Sequence, residues 1–362
     1  MNPFSLKPPS LLARHVIKTS GLAMLGAAGL LLLLQLLFSY IAELGELKDG
    51  YTAFNALIYT LWQAPQFLYE ILPIAGLMGA VIGLGSLASS SELIIMRSVG
   101  VSLWRMVGWV LWPALLLVVF SFALSQWLLP YSNEQARMIQ KQSGKSAKIG
   151  EVYGYWTREG NRYIYVSYAN SMGQLKQVQV IDLNEKYRIT QTLSAQTGEF
   201  SANQQWTLDQ VNQVQIQPDG SAVLKRYPST QMQLALQPRF VQIVTVAPED
   251  LAPSQLVEYM RYLADYAQVP KPYLLALWQK IAAPFALISL VVIACSFIFG
   301  PLRQQSVGFR LVIALFIGLG FRYLQDFLSY ASLVYSPSPG WFVMLPIIAC
   351  FGLGIYLLNR AK

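Results

Sequence analysis

The sequence predicts a helical membrane protein that carries one inserted all-β domain. Of its 362 residues, 54% are hydrophobic and only 12% are charged, and the mean hydropathy is +0.42. A soluble chain of this length would carry more charge, so we expect an integral membrane protein. Six apolar stretches are each long enough to cross about 30 Å of hydrocarbon at about 1.5 Å per residue. The stretch between the third and the fourth instead alternates apolar with polar residues, as half-buried strands do.

The six predicted transmembrane helices divide the chain into three parts. Residues 1–130 hold the first three and residues 272–362 hold the last three, with the inserted domain at 131–271 between them. The first apolar stretch is not followed by a small-residue cleavage site, so we expect a retained span and not a removed signal peptide. The spans are predicted at Leu12–Ala42, Phe54–Ala88, Leu103–Leu129, Leu274–Phe299, Val307–Leu333 and Trp341–Leu358.

Basic residues gather on one side of the predicted membrane region. Beside the spans on that side there are nine basic residues and a single acid, Glu92. Because cytoplasmic flanks are enriched in Lys and Arg, we place both termini and the loop at Ser89–Gly100 in the cytoplasm and the insert on the opposite side. The formal net charge of +8 thus reflects membrane orientation, and nucleic acid is not expected as a partner. The nine are Lys7, Arg14, Lys18, Arg97, Arg105, Arg303, Arg310, Arg360 and Lys362.

Residues 131–271 are predicted to form a β domain of the sandwich, jelly-roll or open-groove type. Its short segments are rich in Val, Ile and Tyr, and turn-forming groups separate them. A helix at Pro253–Tyr266, with Ser254 as its N-cap, is expected to lead back to the membrane. The strands are predicted at Arg162–Tyr168, Gln177–Leu183, Trp206–Val211 and Val214–Gln217, with turns at 159–161, 184–186, 203–205 and 218–220.

The segment Ser89–Gly100, SSSELIIMRSVG, joins the second and third predicted spans. Its serines are good N-cap residues, Glu92 falls in the first turn, where the helix dipole favours an acid, and Gly100 is a suitable C-terminal stop. We therefore predict a helix of about two turns at about 90–100, a length that needs something to pack on. Its many apolar residues allow two interpretations: a tight turn that rests on lipid headgroups, or a coupling helix for a cytosolic motor protein.

Short motifs for nucleotide binding or hydrolysis do not occur in the sequence. There is no G-x-x-x-x-G-K-[ST] phosphate loop, no G-x-S-x-G elbow and no cysteine pair at metal spacing. His15 is the only histidine, which excludes clustered-His metal sites, and Cys295 and Cys350 both fall in apolar runs. We therefore expect no cofactor in this chain and no enzymatic activity. A membrane protein with a docking helix but no nucleotide site fits the permease half of a transporter.

Two other classes of protein stay open at this point. A mechanotransmission permease drives a periplasmic reaction without passing lipid through the membrane, but such permeases usually have four spans and a differently placed insert. A membrane enzyme would need a convergent set of acid, base or nucleophile in the insert. The insert offers only scattered acids and no histidine.

Charge within a membrane span is costly, which makes the charged side chains Lys280, Arg322 and Asp326 of the fourth and fifth predicted spans informative. Arg322 and Asp326 are four residues apart on one helical face and are expected to neutralise each other. Lys280 lies at a height similar to that of Arg322, near the outer leaflet. One interpretation is an intrahelical pair plus a snorkelling lysine. The other is that these side chains face an anionic lipid headgroup, because the arginine fork suits phosphate.

Small residues in the second predicted span form a G-x-x-x-G pair at Gly79 and Gly83. Small residues let membrane helices approach closely, since lipid offers little hydrophobic drive for association. We therefore favour close helix packing over a direct contact with substrate.

Several stretches carry a resemblance to a known family. They are Leu72–Ser102, LPIAGLMGAVIGLGSLASSSELIIMRSVGVS, then WQKIAAP around Lys280, SFIFGPLR at Ser296–Arg303, Asp326, and the closing LVYSPSP. In these stretches the chain closely resembles the LptF/LptG permease family of the bacterial lipopolysaccharide export transporter, over all six spans in the same order. The motif around Glu92 is typical of the whole family, and the FGPLR stretch favours the LptG branch.

The resemblance implies a subunit of an LptF–LptG heterodimer in the bacterial inner membrane, driven by a cytoplasmic LptB ATPase dimer that binds ATP and Mg. The periplasmic domain would be β-jellyroll-like and would continue, with LptC and LptA, into a bridge to the outer membrane. Lipopolysaccharide would be extracted from the periplasmic leaflet and passed to that bridge. By match of motif, the residues that couple to the ATPase would be Glu92, Leu93, Met96, Arg97 and Gly100. The candidates for substrate binding are Lys280, Arg322, Asp326 and Lys48.

Overall fold

A computed structural model of the chain describes residues 11–47, 51–142, 155–169, 174–185, 188–200, 205–217, 221–234, 247–266, 271–300, 305–335 and 338–361. The chain forms two compact units, one from residues 1–144 together with 277–362 and the other from residues 145–276. The first unit is helical, and the second contains the sheet.

The described part of the chain contains helices α1 (Leu11–Leu44), α2 (Ala53–Ser89), α3 (Glu92–Ser98), α4 (Leu103–Ala123), α5 (Leu129–Gln142), α6 (Pro253–Tyr266), α7 (Lys271–Phe299), α8 (Val307–Tyr335) and α9 (Gly340–Arg360). A π-helical turn at Leu124–Leu128 joins α4 to α5. Among the described residues, six helices are long and apolar enough to cross a membrane, with α4, the π-helical turn and part of α5 counting as one of them. The six predicted spans are therefore confirmed.

The second and fourth spans form the interior of the helical unit. In α2 and in α7, 67% of the most apolar stretch lies inside the protein, whereas the figure for α1 is 17% and for α8 is 22%. The helices α1 and α8 consequently present most of their apolar surface outward, to lipid or to another protein.

The helices α1 and α2 approach each other most closely at two glycines. A Cβ atom on Gly79 would overlap the backbone of Met24, and one on Gly83 would lie 2.8 Å from the Cα atom of Ser20. Later residues of α2 thus meet earlier residues of α1, so the two helices run antiparallel. The prediction that Gly79 and Gly83 serve close packing is confirmed.

Among its described residues, the second unit contains a six-stranded antiparallel sheet whose strands pair in the order β1-β2-β3-β4-β5-β6. The strands are β1 (Tyr155–Glu159), β2 (Arg162–Ala169), β3 (Leu175–Leu183), β4 (Ile189–Phe200), β5 (Trp206–Ile216) and β6 (Ala222–Met232). The inserted all-β domain is confirmed, and β2 and β3 contain the first two predicted strands. The third and fourth predicted strands are a single strand, β5, while β1, β4 and β6 were not predicted.

One face of the sheet carries the core of the domain. Ile164 pairs with Val180, and Val180 with Leu193, so that apolar side chains line up across three strands. At the start of β2, two residues before Ile164, Arg162 Nε donates to Asp182 Oδ1 at 2.7 Å, and this hydrogen bond raises the pKa of Arg162. Buried core residues are Ile164, Val166, Leu175, Val178, Val180, Leu193, Ala195, Trp206, Leu208, Val211 and Leu234.

The helix α6 has the predicted bounds, but its predicted cap is wrong. The helix begins at Pro253, so Ser254 already lies inside the first turn. Proline suits the first helical position because its fixed φ matches the helix and its missing N–H needs no partner there. The Gln255 side chain reaches back and accepts a hydrogen bond from the Ala252 N–H at 2.9 Å.

We expect Gly79→Ala to destabilise the helical unit, because the added methyl group meets the backbone of α1 rather than the end of a flexible side chain. Overpacking of this kind costs about 1–3 kcal/mol. Thermal unfolding in detergent should show a lower midpoint for Gly79→Ala and, to a smaller degree, for Gly83→Ala. The matched control is Gly26→Ala on α1, where the added Cβ has no neighbour within 4 Å. An equal midpoint for Gly79→Ala and Gly26→Ala would contradict this account.

Candidate functional site

The short helix α3 connects α2 to α4 and lies where a helix was predicted. Its C-terminal end is closed by two backbone hydrogen bonds, from the Gly100 N–H to the Arg97 carbonyl at 3.0 Å and from the Val101 N–H to the Met96 carbonyl at 3.1 Å. Gly100 has a φ of +91°, a conformation that glycine adopts without the steric cost of a side chain. This is the Schellman arrangement. The predicted role of Gly100 as a helix stop is therefore confirmed.

The N-terminal end of α3 differs from the prediction. Ser91 occupies the N-cap position, but its φ is +64° and its side chain makes no capping hydrogen bond. A left-handed conformation costs a residue with a side chain about 1–2 kcal/mol. Ser90 Oγ instead donates to Glu92 Oε1 at 2.8 Å. Ser90 thus stabilises this turn through the Glu92 carboxylate, while Ser89 Oγ donates to the Ser86 carbonyl at 2.8 Å.

The other oxygen of Glu92 contacts the first span. His15 Nε2 on α1 lies 2.9 Å from Glu92 Oε2, with 52% of the His15 side chain and 37% of the Glu92 side chain exposed. Sequence reasoning used His15 only to exclude metal sites and missed this contact. The signal was nonetheless present, because the charge pattern placed the start of the first span and the Ser89–Gly100 loop on the same side.

The apolar residues of α3 divide between an inner and an outer face. Leu93 and Met96 are buried and hold α3 against the bundle, whereas Ile94, Ile95 and Val99 are exposed. An exposed apolar face beside the exposed Arg97 is unusual for a solvated turn and suits contact with another protein. A shallow cleft next to this face is lined by Ala88, Leu93, Ile94, Arg97, Ile298 and Phe299.

The charged residues of the spans form a cluster that links α2 to α8. Arg322 Nη2 on α8 donates to Glu70 Oε2 on α2 at 2.8 Å, while Arg322 Nε lies 3.8 Å from Asp326 Oδ2. The expected partner, Asp326, is thus the more distant of the two carboxylates. Glu70 was missed because it is 252 positions away in sequence, although an acid inside a predicted span is itself a sign of a buried partner.

Lys280 lies in the interior of the helical unit. The residue is 9% exposed, with Nζ 3.4 Å from Ser125 Oγ and 5.8 Å from the centre of the Tyr69 ring. Ser125 belongs to the π-helical turn, and turns of this type frequently mark functional positions. The fourth candidate for substrate binding, Lys48, lies outside the described residues.

A second arginine of α8 also contacts α2. Arg310 is 4% exposed and donates through Nη1 to the Gly85 carbonyl at 3.0 Å. A Cβ atom on Gly85 would lie 3.1 Å from the same nitrogen, so a glycine here leaves room for the guanidinium group. Two arginines of α8 therefore bind α2, one near the α3 end and one further along.

Comparison with known proteins identifies the class of the chain. The sequence model of the family described as lipopolysaccharide export system permease LptF/LptG matches residues 11–360, nearly the whole length. The chain therefore belongs to the LptF/LptG family, and it is a transport permease of the inner membrane rather than an enzyme.

Relatives with the same description cover nearly the full sequence. The chain is 28% identical, over 358 residues, to the lipopolysaccharide export system permease protein LptG of Escherichia coli K12, which covers 98% of this chain and 99% of the relative. It is also 28% identical over 317 residues to the protein of the same name from Haemophilus influenzae, which covers 87% and 88%. The resemblance of the motifs to this family is thereby confirmed.

Proposed function

We propose that the chain is the LptG-type permease subunit of an ABC transporter that extracts lipopolysaccharide from the periplasmic leaflet of the inner membrane and passes it to a periplasmic bridge. The observation that supports this best is α3, a short helix closed at its C-terminal end that presents Ile94, Ile95 and Val99 outward from between two spans. Its sequence is also the motif on which the family resemblance rests. A helix so placed transmits force from a partner to the bundle.

The proposed assembly follows from family membership and charge. The chain pairs with LptF, and a cytoplasmic LptB dimer binds ATP and Mg and docks on α3. Both termini and α3 face the cytoplasm, where the basic residues beside the spans gather, and the sheet domain faces the periplasm. LptC and LptA continue the path from the sheet domain to the outer membrane.

The geometry of α3 suggests how motor closure moves the bundle. Leu93 and Met96 bury their side chains, so a force on α3 acts on the packed helices and not on a loose loop. Gly100 fixes the end of α3 against the start of α4, and Glu92 and Arg97 offer charges of both signs to the ATPase. The contacts of Arg310 and Arg322 with α2 extend the moving body to α8.

Arg322 is the proposed contact for a lipid phosphate. Its side chain is 38% exposed, and a guanidinium group offers five N–H donors, more than Glu70 occupies. A phosphate approaching from the membrane would share or replace Glu70, with Asp326 setting the local charge. Lys280 is proposed to act from the interior beside Ser125. Lys48, four residues after the end of α1 in the sequence, remains a proposed contact as well.

The first test is mass spectrometry of the chain purified gently from its native membrane, which identifies the bound proteins and lipids together. We expect a sister permease, a small ATPase and lipid A species. An ATPase without lipid A would overturn the export function in favour of mechanotransmission. Recovery of neither would return the search to an enzymatic site in the inserted domain.

We expect Glu92→Lys to uncouple ATP hydrolysis from lipid extraction while the fold stays intact, because the substitution places like charge against a basic groove. The measurement is lipid released per ATP hydrolysed by the reconstituted complex. Glu134→Lys, the same charge change at an exposed position of α5, is the control and should behave as the wild type. Normal assembly together with full export by Glu92→Lys would contradict a coupling role for this residue.

We expect Arg322→Ala to lower the amount of lipid A that stays bound through purification, because the substitution removes the proposed phosphate donor. Glu70→Gln should raise that amount, since it releases Arg322 from its competing carboxylate. Quantitative mass spectrometry of lipid A per complex measures both. If the two variants lose lipid alike, the Arg322–Glu70 pair is structural.

A further inference from the structure

Both carboxylate oxygens of Glu92 are engaged within the chain. Ser90 Oγ donates to Oε1 at 2.8 Å, and His15 Nε2 lies 2.9 Å from Oε2. The carboxylate is therefore held from two sides and points in one direction. The 2.9 Å between His15 Nε2 and Glu92 Oε2 is the length of a direct hydrogen bond.

The two contacts have different origins. Ser90 is only two residues from Glu92 and belongs to the same turn, whereas His15 is 77 residues away on α1. The position of α1 beside α2 is fixed by the close approach of Gly79 to Met24 and of Gly83 to Ser20. The packing of α1 against α2 thus places the His15 imidazole beside the Glu92 carboxylate of α3. Local turn preferences alone would not bring these two groups together.

We propose that His15 is a positioning residue for the coupling carboxylate. It keeps the Glu92 side chain oriented for the basic group of the docking ATPase, and it links α1 directly to α3. Neutral imidazole donates from Nε2 when that nitrogen carries the proton, and protonated imidazole donates from both nitrogens. This role rests on the proposed function of α3 as the docking helix.

The partial exposure of His15 and Glu92 suits a hydrogen bond that breaks when the ATPase binds Glu92 and forms again when the ATPase releases it. Buried ion pairs resist the removal of one partner, whereas half-exposed ones contribute little and reform readily. With 52% of His15 and 37% of Glu92 exposed, a basic group of the ATPase can reach Oε2 as His15 releases it. The hydrogen bond orients the carboxylate before docking without competing strongly with the partner afterwards.

The test uses the full complex, reconstituted with its sister permease and ATPase, and measures lipid extracted per ATP hydrolysed. His15→Phe keeps an aromatic ring but has no donor, and we expect it to lower this ratio by about three- to fivefold, the upper range for a half-exposed pair. His15→Gln keeps an N–H donor and should restore the ratio to within about twofold of the wild type. Lys18→Gln, which removes an exposed cation from the same helix, is the control and should have no effect.

A double-mutant comparison tests whether His15 acts through Glu92. In a Glu92→Gln background, His15→Phe should lower the ratio much less than it does in the wild type, because the oriented carboxylate is already absent. An equal loss in both backgrounds, or a ratio for His15→Gln as low as that for His15→Phe, would overturn the proposal. Should the phenylalanine variant fail to assemble, His15→Ala takes its place in both backgrounds.

The outcomes separate this proposal from the one on which it rests. If Glu92→Lys leaves export intact, α3 is not the coupling element and the proposed function fails. If Glu92→Lys uncouples the complex and His15→Phe leaves the ratio unchanged, the proposed function stands and only the positioning role of His15 is wrong.

Discussion

The close approach of α1 to α2 is the constraint on which the rest of the helical unit depends. Only glycine fits at position 79 and at position 83, because a methyl group there would meet the backbone of α1. This antiparallel contact brings the start of α1 to the end of α2, where α3 begins. It therefore sets the distance between His15 and Glu92, which belong to segments with no local reason to meet.

A second set of contacts attaches α8 to the same helix. Arg310 and Arg322 are 12 positions apart on α8, about 18 Å at the rise of an α-helix, and each binds a group of α2. Two contacts at different heights restrain both the distance between α8 and α2 and the rotation of one helix against the other. A single contact would restrain only the distance. The helix α2 thus holds α1 through small residues and α8 through arginines, while it continues almost directly into α3. The contacts of α2, the helix that precedes α3, therefore join it to two further spans, α1 and α8.

The sequence predicted the features that depend on composition and period, and it missed those that depend on tertiary contact. The spans follow from long apolar runs, and Gly100 follows from the preference of helix ends for glycine. The serines at 89–91 were expected to supply the cap of α3, yet Ser91 holds the N-cap position in a left-handed conformation and without a capping hydrogen bond. The pairing of Glu70 with Arg322 could not be predicted from sequence spacing, because the two residues are 252 positions apart. The strand β6, which lies at one edge of the sheet as the structure describes it, was not predicted because it is polar and contains Pro228, a residue that an edge tolerates.

The π-helical turn at Leu124–Leu128 affects how the third span is compared between relatives. An α-helix advances about 100° per residue, and one wider turn shifts all that follows by roughly that angle. Residues beyond Leu128 consequently face another direction than a continuous helical wheel from Leu103 would assign to them. Lipid-facing and protein-facing positions in this span should be assigned separately for α4 and α5. A single wheel drawn from Leu103 through both would assign the residues of α5 to the wrong surface.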